Sequence, residues 1–170
     1  MYAPDGSLLT SKSIHGGGAL DLPALPVDGT YQVFVDPAYG ETLTAQLRLA
    51  TGTAEGLGVA NAPASYEARG AGEAAYFTFT AQAGENLGLG IRELRVGTED
   101  WYDYVVVQVY RPDGTRWTYD YCHVRHGGCQ QNLSNLSAGT YAVVVEPSRS
   151  MQQLQFKVAL SKEGQGVQHG

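Results

Sequence analysis

Tyr110-Arg111-Pro112-Asp113-Gly114 opens a stretch that runs through His126-Gly127-Gly128-Cys129, Leu133-Ser134-Asn135-Leu136, Gly139-Thr140-Tyr141 and Val145-Glu146-Pro147 to Val158-Ala159-Leu160. The same landmarks, in the same order, occupy the start of the chain. They are Tyr2-Ala3-Pro4-Asp5-Gly6, His15-Gly16-Gly17-Gly18, Leu22-Pro23-Ala24-Leu25, Gly29-Thr30-Tyr31, Val35-Asp36-Pro37 and Leu47-Arg48-Leu49. Fixed landmarks in a fixed order mark a repeated structural unit. They also supply an internal control: what both copies carry belongs to architecture, and what one copy carries alone is a better candidate for function.

Within these stretches apolar residues recur at every second position, the period of a half-buried strand. This holds for residues 31–35, 43–49, 141–145 and 154–160, and for Val105, Val107 and Val109 within 104–110. Residues 75–80 and 87–91 form a further pair across Ala83-Gly84-Glu85-Asn86, a hairpin turn. In Pro4-Asp5-Gly6 and Pro112-Asp113-Gly114, Pro presets the first turn position and Gly accepts positive φ. No stretch has a sustained helical period; residues 21–25 have room for one helical turn.

The second copy has a preface, residues 66–109, that the first lacks. The expectation is therefore an all-β chain: an antiparallel β-sandwich of jelly-roll or immunoglobulin-like type, one complete unit plus a partial repeat. The partial repeat spans residues 1–51, a Gly- and Ala-rich linker 52–65, the complete unit 66–163 and a flexible tail 164–170. Half a sandwich leaves an apolar face and open edges. It must pack on the complete unit, which is the expectation, or pair with a second chain as a homodimer through the partial repeat, or stay poorly ordered.

The chain has 170 residues and a formal net charge of -6. That charge argues against nucleic acid as a partner and against anionic membrane surfaces. No apolar run is long enough for membrane insertion as a spanning helix. Met1 leads directly into Tyr2-Ala3-Pro4-Asp5-Gly6, with no signal peptide and in mid-repeat, as expected of a start placed inside a longer parent protein. Cys122 and Cys129 are expected to form a disulfide, which implies an oxidising compartment. The competing reading is zinc on Cys122-His123-x-x-His126-x-x-Cys129. That spacing fits no common zinc pattern, and His15 stands in the first copy where His126 stands in the second.

The phrase running from Gly72-Glu73-Ala74-Ala75-Tyr76-Phe77-Thr78-Phe79 to Ala83-Gly84-Glu85-Asn86-Leu87 resembles the opening of bacterial pre-peptidase C-terminal domains. Tyr110-x-Pro112-Asp113-Gly114 and Gly139-Thr140-Tyr141-x-Val143-x-Val145 fit the same family. The first copy is similar to β-sandwich repeats of large secreted or surface bacterial proteins, including RHS-repeat proteins. The resemblance covers most of the chain apart from the linker and the tail. It implies a secreted or cell-surface, non-catalytic module of the kind appended to enzymes, toxins and adhesins, some of which bind polysaccharide, protein or calcium.

No Gly-x-Ser-x-Gly, His-Glu-x-x-His or phosphate-cradling loop is present, so the chain is not expected to be an enzyme and requires no cofactor. The internal control points elsewhere. Trp117, Tyr119 and Tyr121 alternate, which places them on one face of a strand. In the first copy Leu9 matches Trp117, which also gives Trp117 a core reading, but Ser11 and Ser13 stand where the tyrosines are. The fold does not need those rings. A planar aromatic row suits the apolar faces of pyranose sugars, with Arg116, Asp120, Gln130 and Gln131 to take the hydroxyls. Trp101 and Tyr102 could extend it. Glu99, Asp100 and Asp103 in the same loop suit a hard cation such as calcium. The expected function is a carbohydrate or cell-surface glycan-binding module, the alternative a structural spacer or protein-interaction module.

Overall fold

The computed structural model describes residues 1–15, 18–20, 22, 25–49, 54–59, 63–67, 73–97, 101–149 and 152–162. The expected helical turn at 21–25 and the tail lie largely or wholly outside these residues. Among the described residues there are nine strands: β1 Glu55–Gly56, β2 Ala64–Glu67, β3 Ala75–Ala81, β4 Glu85–Val96, β5 Tyr104–Tyr110, β6 Arg116–His123, β7 Gly128–Leu136, β8 Gly139–Pro147 and β9 Leu154–Lys162. They form a five-stranded sheet, β1-β3-β8-β5-β6, and a four-stranded sheet, β2-β9-β4-β7. All pairings are antiparallel except that of the short β1 with β3.

The two sheets pack face to face because each strand alternates apolar residues inward. Phe77 and Phe79, Val105, Val107 and Val109, and Tyr141, Val143 and Val145 come from one sheet. Leu87, Leu89 and Ile91, Leu133, and Phe156, Val158 and Leu160 come from the other. Phe77, Phe156 and Tyr66 meet toward the β1 and β2 edge of the sandwich with ring centroids 5.1–5.9 Å apart. Cys122 of β6 and Cys129 of β7 are bonded, with Cα atoms 5.2 Å apart, so the disulfide ties one sheet to the other at this edge. It also takes both sulfurs out of any zinc set.

Two repeated landmarks have a structural cause. Gly139 has φ 142°, and a Cβ there would come within 2.6 Å of the Pro112 Cγ, so the turn proline seats against bare backbone. The Tyr141 hydroxyl returns to residue 137, where it accepts from the backbone N–H at 3.0 Å and donates to the carbonyl at 3.3 Å. This tethers the β7–β8 corner.

The first copy builds the same local parts and stops there. Its turn matches bond for bond: Gly6 N–H to the Ala3 carbonyl at 2.9 Å, as Gly114 to Arg111 at 2.9 Å. Gly29 lies under Pro4 as Gly139 lies under Pro112, and the Tyr31 hydroxyl returns to Val27. The half-buried strands expected at 31–35 and 43–49 do not form. Val33, Leu47 and Leu49 are 60%, 76% and 92% exposed. Their equivalents in β8 and β9 are buried because β3, β5 and β4 flank them, whereas among the described residues no strand flanks residues 33–49.

Candidate functional site

The outer face of the five-stranded sheet, turned away from the core, carries the chemistry. In β5 the inward residues are Val105, Val107 and Val109, so Tyr104, Val106, Gln108 and Tyr110 face out. Register then decides which β6 residues join them: Tyr104 opposes His123, Val106 opposes Tyr121, and Gln108 opposes Tyr119. Tyr119 and Tyr121 are each 50% exposed. Ring contacts run continuously across this face: Tyr119 to Tyr121 at 5.7 Å, Tyr121 to Tyr104 at 5.5 Å and Tyr104 to His123 at 5.3 Å.

Trp117 does not belong to this row. Val109 opposes Thr118 while Tyr110 opposes Arg116, so Trp117 is the extra residue of a β-bulge. The bulge turns its ring toward the core, where it lies 5.9 Å from Tyr141 with the Arg111 guanidinium 5.7 Å above it. The same slip brings Arg116 onto the tyrosine face, its guanidinium 5.1 Å from the Tyr119 ring. A simple alternation count cannot see this, because the bulge arises from pairing with β5.

The rings are also not coplanar as expected. Tyr119 and Tyr121 meet at 88°, and Tyr104 and Tyr121 at 80°. The face is corrugated, offering single ring faces and edges in place of a flat platform. Of the four polar candidates, only Arg116 sits here. Gln131 is buried between the sheets, its Nε2 donating to the Val107 carbonyl at 3.4 Å. Gln130 is on β7 in the opposite sheet, and the Asp120 carboxylate accepts the Tyr121 N–H at 2.8 Å.

Beside the tyrosines runs a polar line that the sequence did not announce. Gln108 accepts from the Tyr110 hydroxyl at 3.3 Å and from Arg116 at 3.4 Å, and donates to Glu146 at 3.5 Å. Glu146 is ion-paired with Lys12 of the first copy. That pair lines a cleft of about 550 Å³ between the copies, to which the first copy contributes Lys12, His15 and Ala19 and the second Tyr104, Val106 and Glu146. The outward residues of β5 were legible as the complement of Val105, Val107 and Val109; their meeting with Lys12 was not.

Trp101 and Tyr102 stand exposed in the turn that leads into β5. Glu99 and Asp100, two of the three calcium candidates, lie outside the described residues. Asp103 is buried, and its carboxylate lies 3.6 Å from the exposed Arg149 guanidinium, an ion pair that makes no hydrogen bond to it. Among the described residues no group of three or more His, Cys, Asp or Glu could hold a metal ion.

No family model matches the chain, and no curated protein matches it. Solved structures do. The chain is similar to the pre-peptidase C-terminal domain of a collagenase from Bacillus anthracis, at 13% identity and a TM-score of 0.48, over 67% of this chain and 100% of that one. It is also similar to PliG of Aeromonas hydrophila, a periplasmic inhibitor of g-type lysozyme, at 15% identity and a TM-score of 0.39, over 64% and 96%.

Proposed function

We propose that the chain is a non-catalytic binding module of a secreted or cell-surface bacterial protein, and that it binds carbohydrate on the outer face of the five-stranded sheet. The observation that carries this reading is the Tyr104, Tyr119 and Tyr121 cluster. Tyr119 and Tyr121 stand on a solvent-facing surface where the first copy has Ser11 and Ser13, with Tyr104 against them and beside a cleft lined by Lys12, Tyr104 and Glu146. Exposed ring faces stack on the apolar face of a sugar, and the flanking charged and amide groups satisfy its hydroxyls. Because the rings meet edge to face, the surface suits one or two sugar units and not a long chain laid flat. The Cys122–Cys129 disulfide supports an extracytoplasmic setting.

A glycan array with wild type and a Tyr119→Ala/Tyr121→Ala variant tests the reading. Binding by wild type, lost in the variant at unchanged Tm, is the expected result. No glycan bound by wild type under any condition sinks it and leaves the spacer or protein-interaction alternative, which the exposed apolar side chains of the first copy favour.

A further inference from the structure

The cleft between the copies has a charge balance opposite to that of the chain. The chain carries 17 acidic side chains against 11 lysines and arginines. In the cleft lining, Lys12 and Arg149 stand against a single carboxylate, Glu146, with His15 in the same lining. Glu146 is already engaged: it is ion-paired with Lys12 and accepts from the Gln108 amide at 3.5 Å. Arg149 is not engaged in the same way. Its Nε lies 3.6 Å from the buried Asp103 carboxylate, an ion pair without a hydrogen bond, and its side chain is 64% exposed. Asp103 offsets one charge but leaves the N–H donors of the guanidinium for another acceptor.

The fold sets these cations at the end of the ring row. The Ser148 N–H donates to the Tyr104 carbonyl at 2.9 Å, so Arg149 leaves the sheet one residue beyond a bond to Tyr104. Tyr104 lines the cleft and meets Tyr121 edge to face at 5.5 Å. A pyranose lying on Tyr121 against Tyr104 brings a ring substituent to the cleft. A carboxylate there fits the planar guanidinium through two parallel N–H···O bonds, which a neutral hydroxyl cannot match. We infer that the face selects an acidic sugar: a pyranose bearing a carboxylate, its ring on Tyr121 and Tyr104 and its carboxylate on Arg149, with Lys12 and His15 completing the anion site. The inference rests on the carbohydrate reading above and names its ligand class. Glu146 repels such a ligand unless Lys12 neutralises it, so Lys12 of the first copy completes a site on the second. A chain that is net negative thus draws an anion through a local positive field.

The test is calorimetric titration of the full chain with galacturonate, glucuronate and N-acetylneuraminate oligosaccharides, each beside its carboxyl-reduced form. At least one acidic form should bind tighter than its reduced form by about tenfold or more. Arg149→Lys keeps a cation beside Asp103, and so the fold, but loses the fork; it should abolish most of that preference. Lys12→Gln, which unmasks Glu146, should weaken the acidic form alone, and Glu146→Gln should tighten it. Equal affinity for acidic and reduced forms, or a preference that all three changes leave as it was, overturns the inference while the tyrosine face stands. An acid preference that survives Tyr119→Ala/Tyr121→Ala upholds the anion site and sinks the tyrosine face. No binding of any acidic form overturns the inference, and the neutral glycans of the array then decide the carbohydrate reading separately.

Discussion

Gly139 lies directly beneath Pro112, close enough that an added Cβ would come within 2.6 Å of the proline Cγ, and Gly29 bears the same relation to Pro4 at 2.7 Å. Two landmarks 25 residues apart in the first copy and 27 in the second, a Pro-Asp-Gly turn and a Gly-Thr-Tyr, are thus one structural contact used twice. The contact is also a controlled comparison, because only the second instance sits over a packed core.

Gly139→Ala should therefore destabilise the sandwich by about 2–3 kcal/mol, combining the strain of an L-residue at φ 142° with displacement of Pro112. Gly29→Ala, at φ 149°, meets the same local obstacle, yet residues 33–49 beyond it form no strand. Denaturant unfolding should show a lowered midpoint for Gly139→Ala and a nearly unchanged one for Gly29→Ala. Equal losses would mean that the first copy is coupled to the core, contrary to the exposure of Val33 and Leu47.

The two turns also make a pH prediction. In Asp113 the Thr115 hydroxyl and then the Thr115 N–H hold the carboxyl below the usual aspartate range, and Ser7 does the same for Asp5. A carboxyl lowered in the folded state contributes stability above its unfolded value, near 3.9, and loses it as pH falls through the lower folded value. Stability should thus fall on acidification below about pH 4. Asp113→Asn, which cannot titrate, should flatten the part of that fall due to this turn. Unfolding midpoints for both proteins at neutral pH and in acid decide it: identical acid losses would remove Asp113 from the account.

Most of the complete sandwich was legible because its strands bury one face and so alternate: 75–80, 87–91, 104–110, 141–145 and 154–160 all fall within observed strands. β7 was not, because Gln130, Gln131 and Asn132 hide the period, and Gln131 is a buried amide that reads as a surface residue. The first copy misled in the opposite way. Its pattern at 43–49 is that of a strand, but pattern confers only the capacity to pair, and among the described residues no strand flanks it. At the candidate site, the choice of Tyr119 and Tyr121 followed from comparing the copies. The bulge at Trp117 and the proximity of Lys12 to Glu146 depend on register and docking, which no local pattern encodes.

The Cys122–Cys129 link closes a loop of seven residues' separation while joining the two sheets. The chain-entropy relation for so short a loop gives about 2–3 kcal/mol. Reduction, or a paired Cys122→Ala/Cys129→Ala change, should lower Tm by roughly that stability but leave the sandwich folded, since Phe77, Phe156 and Leu89 pack elsewhere in the core. Far-ultraviolet circular dichroism should keep its strand signal below the lowered Tm. Complete loss of structure on reduction would show that the apolar core alone is insufficient.

Trp117 and Tyr119, two residues apart on one strand, should separate stability from binding. Trp117 packs against Tyr141 under Arg111, so Trp117→Ala removes core-facing surface. Its cost should be about 2 kcal/mol, below the ~3–5 kcal/mol of a fully buried aromatic, because the ring is only partly enclosed. Tyr119 is half exposed beneath Arg116, and Tyr119→Ala should change stability by less than about 1 kcal/mol. For any glycan retained by wild type, the order should reverse: affinity falls at least about tenfold for Tyr119→Ala, the loss of one stacked ring, and holds for Trp117→Ala at temperatures where it is folded. The bulge makes the two outcomes independent. If Trp117→Ala abolished binding while Tyr119→Ala did not, the ligand would lie near the Arg111 edge of the sheet, and the tyrosine face would have to be given up as the site.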